Sequence, residues 1–209
     1  MTRILDISPP ISVHTAVWPG DQPLTRKVAL DMATGAHLTL SSLETTVHIG
    51  AHADAPSHFI KEGAGIHEVD LEAYIGPCVV VTVLNPLGRL IRPEHCQGAI
   101  EAGARRILFR TLSQPDYTKF NTDFVAFSPE AVKAMGEAGV KLIGIDTASV
   151  DPFDSKDLRA HQELYRFDIR NIESLDLRHV PDGEYELIAL PLKLEGFDAS
   201  PVRAILRQA

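Results

Sequence analysis

The sequence predicts an α/β fold built on a mixed sheet. Three observations carry that expectation. Apolar, β-branched runs alternate with capped helical segments through the middle of the chain. Extended segments without intervening helices occupy both ends. No linker, internal repeat or low-complexity tract divides the 209 residues, so residues 1–209 read as one domain long enough to bury its own core.

The run CVVVTVL (78–84) predicts a buried strand, because β-branched side chains suit a pleated, packed surface. PEHCQGAIEAGA (93–104) follows as a helix and RILFRT (106–111) as a second strand. SPEAVKAMGEAG (128–139) carries a full set of helix signals: Ser128 as N-cap, Pro129 in the first turn and Gly139 as the stop. VKLIGIDT (140–147) is a third strand. Strands alternating with helices in this way imply parallel pairing through right-handed crossovers. The outer segments differ. ILDIS and LTLSSLETTVHI near the start, and YELIALPL (185–192) and PVRAILR (201–207) near the end, read as extended, while DSKDLRA before His161 reads as helical. The outer strands make the sheet mixed and leave some separate antiparallel structure.

The formal net charge of −8 argues against nucleic acid or an anionic membrane as partner, since both demand basic patches. A small molecule is the expected partner. Cys78 and Cys96 stand in no metal-binding or disulfide spacing, and Cys78 reads as a plain buried thiol. MTRILDISPP lacks a signal-peptide core, and no apolar run is long enough to span a bilayer. A cytoplasmic location is the expectation.

The densest chemistry lies in HIGAHADAPSHF (48–59), with three histidines and an aspartate within eleven residues. His48, His52, Asp54 and His58 share one parity, so an extended chain points them to one face. A helix would align only His48 with His52, and Gly50 and Pro56 oppose a helix. The expected local structure is a strand end running into an irregular loop. Imidazole and carboxylate are good ligands for Zn²⁺ and acceptable ones for Mn²⁺ or Fe²⁺. The small residues between them let the backbone crowd round an ion. The bland alternative is a run of solvated histidines.

This stretch resembles the HxGTHxDxPxHF signature of the cyclase-like metal-dependent hydrolases. WPGD (18–21), IDTASVDPFDSK (145–156) and YELIALPLKLEGFDASPVRAIL (185–206) extend the similarity, specifically to the bacterial kynurenine formamidases. The resemblance implies a swivelling β/β/α fold, a homodimer, and hydrolysis of N-formyl-L-kynurenine to L-kynurenine and formate in tryptophan degradation. It also implies two metal ions per chain, usually zinc, with Mn²⁺ as the other candidate. His48, His52 and Asp54 match the first metal's ligands. His161 matches a ligand of the second metal, Asp54 is shared, and Glu173 matches the carboxylate touching both ions. His58 matches the catalytic acid/base, and Trp18 a substrate-packing aromatic. By residue type alone, His161 is a lone helical histidine, Glu173 one glutamate among many, and Trp18 equally a core anchor. Asp146 and Ser149 are expected either to support the second metal or only to shape a loop. His37 and His67 are expected to be structural, and His14, His95 and His179 to lie at the surface.

Two other functions fit the same residues. One is a related hydrolase acting on another small or cyclic amide, as an isatin hydrolase does. The other is a non-catalytic metal- or ligand-binding module, in which His58 would be dispensable.

Overall fold

The computed structural model describes residues 3–208, so the first two residues and the last of the expected 1–209 domain lie outside the described residues. The chain is mixed α/β, as expected. Strands β1 (Arg3–Asp6), β2 (Thr25–Leu30), β3 (Leu40–Glu44), β4 (His52–Asp54), β5 (Ile75–Thr82), β6 (Leu90–Ile91) and β7 (Arg106–Arg110) are followed by β8 (Ala126–Phe127), β9 (Leu142–Ile145), β10 (Arg170–Glu173), β11 (Gly183–Ile188), β12 (Ala199–Pro201) and β13 (Ile205–Gln208). Three helices join them: α1 (Pro93–Glu101), α2 (Pro129–Glu137) and α3 (Arg159–Arg166). Nine strands form one sheet in the order β1-β13-β11-β5-β7-β9-β10-β4-β12.

The centre follows the sequence pattern. β5, β7, β9 and β10 pair in parallel, and the strands on either side of them pair antiparallel. Side chains alternate across β7 with period two. Leu108 enters one apolar core with Tyr74, Val80, Leu142 and Leu187. Ile107 and Phe109 enter a second core with Phe127, Val132, Met135 and Leu164. The second core lies under the helices, which is why the central strands read as continuous apolar runs. Ser128 caps α2 by accepting from Ala131 N at 3.2 Å, and Gly139 leaves that helix with a φ of +79°.

Four expectations need correction. The first central strand begins at Ile75, three residues before the apolar run, because Gly76 and Pro77 still pair with β11. DSKDLRA is mostly a turn: Leu158 adopts a left-handed φ of 47°, and α3 starts only at Arg159. PVRAILR divides into β12, which pairs with β4, and β13, which pairs with β1 and β11. His95, expected at the surface, is half-buried, and its Nδ1 accepts from Arg92 N at the start of α1. LTLSSLETTVHI contributes the hairpin strand β3, which pairs with β2 in a separate two-stranded sheet, and every residue of β2 and β3 is exposed.

Candidate metal centre

β10 pairs antiparallel with β4, with Glu173 opposite His52 and Ile172 opposite Ala53. Period-two alternation then puts His52, Asp54, Asn171 and Glu173 on one face of this ribbon. All four are buried. Gly50 precedes β4 with a φ of +60°, where a Cβ would lie 2.8 Å from Ile11, so the bend there requires glycine. Its carbonyl accepts from His52 Nδ1 at 2.9 Å, and this turns Nε2 towards Asp54 Oδ1 at 3.6 Å and Glu173 Oε2 at 3.4 Å.

His161 reaches the same point from the first turn of α3. Its Nε2 lies 3.5 Å from Asp54 Oδ2 and 3.7 Å from Glu173 Oε1. Its Nδ1 donates to Asp151 at 2.7 Å, and the same carboxylate accepts from the backbone N–H groups of Ala160 and His161. Asp151 therefore caps the helix and orients the histidine at once, while Leu158, at the nominal cap position, makes no side-chain cap. His48 approaches from the loop before β4. Its Nδ1 is 3.1 Å from Asp54 Oδ1, and its Nε2 donates to Asp198 at 3.0 Å. His58, in the turn after β4, is part-exposed, and its Nδ1 lies 3.3 Å from the same Asp198 oxygen.

The electrostatics follow from this packing. Burial opposes protonation of His48, but Asp198 and Asp54 outweigh it and push its pKa up to about 10. Burial likewise opposes charge on His161, and Asp151 and Asp54 carry it up to about 10. Asp54, despite burial that favours its neutral form, is held well below the usual carboxylate range by His161 and His48. The cluster is thus a site of strong negative potential that favours positive charge. Buried polar atoms normally find partners. Here His52 Nε2, His161 Nε2 and Asp54 Oδ1 have none. They are nitrogen and carboxylate donors converging on one place, which is what a divalent cation requires. Within each of two groups, His48–Asp54–His58 and His52–Asp54–Glu173, the donor atoms lie within 4.8 Å of one another, and the groups share Asp54.

The cluster forms the floor of a cavity of about 230 Å³. Trp18 stands in its wall, half-buried, with ring centroids 5.2 Å from Phe120 and 5.0 Å from Phe153. It belongs to an aromatic wall of the cavity and not to the sheet core. The model of the "Putative cyclase" family matches residues 5–152, which takes in Trp18, Phe120, His48, His52, Asp54 and His58.

The chain belongs to the cyclase family. A kynurenine formamidase of Delftia acidovorans (strain DSM 14801 / SPH-1) is 43% identical over 205 residues, covering 98% of this chain and 97% of that protein. A solved structure described as a potential metal-dependent hydrolase with cyclase activity superposes with a TM-score of 0.86 at 24% identity, covering 100% of this chain and 99% of the other. Isatin hydrolase A from Ralstonia solanacearum gives a TM-score of 0.83 at 22% identity, covering 100% and 92%. These structural likenesses establish the cyclase fold.

Every site residue expected from the sequence lines this cavity or, in the case of Asp54, lies directly beneath it. Sequence reasoning overlooked three others. Asn171 donates to Asp54 at 2.6 Å and to Glu173 at 3.2 Å, Asp151 holds His161, and Asp198 touches both His48 and His58. Parity with Glu173 is a signal for Asn171. Asp151 and Asp198 lie in loops, where spacing carries no such signal. Asp146 does not contact the cluster: its carboxylate accepts from Thr111 N, Thr111 Oγ1 and Leu112 N and shapes the loop after β7. Ser149 lines the cavity, and its Oγ accepts from Asp151 N.

Proposed function

We propose that this hydrolase cleaves N-formyl-L-kynurenine to L-kynurenine and formate, within tryptophan degradation. The observation that carries the reading is the buried donor cluster with unpartnered lone pairs at the floor of an aromatic-walled cavity. The kynurenine formamidase relative, similar along nearly the whole chain, supports the choice of substrate.

His48, His52, Asp54, His161 and Glu173 would hold the metal, two ions in this reading, with Asp54 as the ligand common to both donor groups. Zinc suits the mixed imidazole and carboxylate donors, and manganese is the alternative. Bound there, the metal supplies Lewis acidity for the formyl oxygen and the attacking water. Asn171 keeps Asp54 and Glu173 in register with each other. Trp18, with Phe120 and Phe153 behind it, packs the aryl ring and excludes water. Water adds to the formyl carbon, the C–N bond breaks, and the departing aryl amine needs a proton. His58 stands at the cavity with Nδ1 held by Asp198, so it takes the proton from water and returns it to the amine nitrogen.

Residues 1–209 act as one catalytic domain in this reading. The exposed hairpin β2–β3, with Val28, Leu30, Met32, Leu40 and Leu43 facing outward, supports a homodimer in which a second copy covers it. Free thiols at Cys78 and Cys96 accord with the reducing cytoplasm. A formate-release assay on N-formylkynurenine, with elemental analysis of the same sample, tests the function. Hydrolysis dependent on the metal is expected. Cleavage of a cyclic amide such as isatin in its place would move the chain to the neighbouring activity, and no cleavage of either would leave a binding module.

A further inference from the structure

The cavity holds one charged side chain that the donor cluster and the proton transfer leave unused. Asp21 lines its wall, three residues from Trp18 in the same tight turn. Pro19 and Gly20 occupy the central positions of that turn, Gly20 with a φ of +104°, and Asp21 N donates back to Trp18 O at 2.9 Å. Thr46 binds the turn to the segment that leads into His48: its backbone N–H donates to Gln22 O at 2.9 Å, and its Oγ1 lies 3.4 Å from Asp21 Oδ2. The carboxylate is therefore held in place beside the aromatic wall. Among the described residues no arginine or lysine pairs with it, and none lines the cavity.

We infer that Asp21 is the subsite for a cationic amine, so that the chain selects aryl formamides bearing an ammonium group close to the ring. The inference rests on the proposed function and deepens it. The Trp18 turn receives the ring, and the carboxylate three residues on receives the amine. A cavity in which, among the described residues, a carboxylate stands outside the histidine cluster and no arginine or lysine does discriminates for positive charge. Among the described residues the substrate's own carboxylate finds no arginine or lysine in this cavity, and its removal costs little.

The test crosses Asp21→Asn, which keeps the side-chain shape, with two analogues of N-formylkynurenine. One lacks the α-amine and keeps the carboxylate; the other lacks the carboxylate and keeps the amine. For the parent protein, deleting the amine should lower kcat/KM on the order of 10–100-fold, chiefly through KM, the scale of a hydrogen bond between charged groups. Deleting the carboxylate should change it less than about threefold, within the range of a peripheral contact. Asp21→Asn and amine deletion should not be cumulative, because they remove the same contact. Cumulative losses, or a larger penalty for deleting the carboxylate, overturn the inference. Equilibrium binding of L-kynurenine, kynuramine and the des-amino acid to metal-loaded protein separates this from the choice of reaction. If no formate is released, the amines must still bind more tightly than the des-amino acid, and Asp21→Asn must erase the difference. Equal binding refutes the amine subsite whatever reaction is catalysed.

Discussion

Replacing Asp151 by Ala tests the link between helix capping and the metal centre. The substitution removes three acceptor contacts, to Ala160 N at 2.9 Å, His161 N at 3.0 Å and His161 Nδ1 at 2.7 Å. Loss of a helix N-cap costs about 0.5–2 kcal/mol. Loss of a buried hydrogen bond to a charged group costs about 1.5–3 kcal/mol. Together these give roughly 2–5 kcal/mol, or a fall in Tm of about 5–15 °C for a chain of this size. The site should suffer separately. Without its Nδ1 partner, His161 is free to rotate, and second-sphere carboxylates of this kind are worth about 10–100-fold in metal affinity. Thermal unfolding of the metal-free protein reads the first effect, and competition with a chelator of known affinity reads the second. Asp151→Asn, which keeps an acceptor oxygen for the helix N–H groups, should recover much of the Tm but less of the metal affinity. A variant Asp151→Ala that melts with the parent and holds metal within twofold of it would show that Asp151 neither caps nor orients.

Three further outcomes are expected. Asp54→Ala should lose both metal ions while His161→Ala retains one, as read by elemental analysis; equal stoichiometry in the two would remove Asp54 from the shared position. His58→Ala should lower kcat by about 10²–10⁴-fold with metal content unchanged, whereas loss of metal would make His58 a ligand, as its place in one of the donor groups allows. In the metal-free protein, the raised pKa of His48 and His161 contributes stability that is fully present below the ordinary histidine pKa of about 6.5 and is lost as pH rises through about 10. Its Tm should therefore fall over that window, and excess zinc should reverse the trend, because ligation takes the neutral imidazole; a metal-free Tm that rises from pH 7 to 10 contradicts the assignment.

Two kinds of information built this site, and they differ in range. The central strands and α2 were legible because their signals are local: β-branched runs, an N-cap serine and a terminating glycine act within a few residues of themselves. The first half of the centre was legible for the same reason. His48, His52, Asp54 and His58 are close along the chain, and a short extended piece makes their common parity a common direction. Glu173 and His161 were reached only through family resemblance, since their approach to Asp54 depends on the register of β10 against β4 and on where α3 begins. Local propensity misplaced that helix start, because a distant aspartate caps it while Leu158 sits in a left-handed conformation. Asp198 lies 150 residues from His48 and 140 from His58, and only the return of the chain into β12 beside β4 brings it there. The outer segments show the same limit: an extended pattern marks a strand without naming its partner, so PVRAILR could divide between two places in the sheet and β2–β3 could stand outside it. Residue spacing specifies which side chains share a face; strand register and loop closure, set by packing over the whole chain, decide which faces meet.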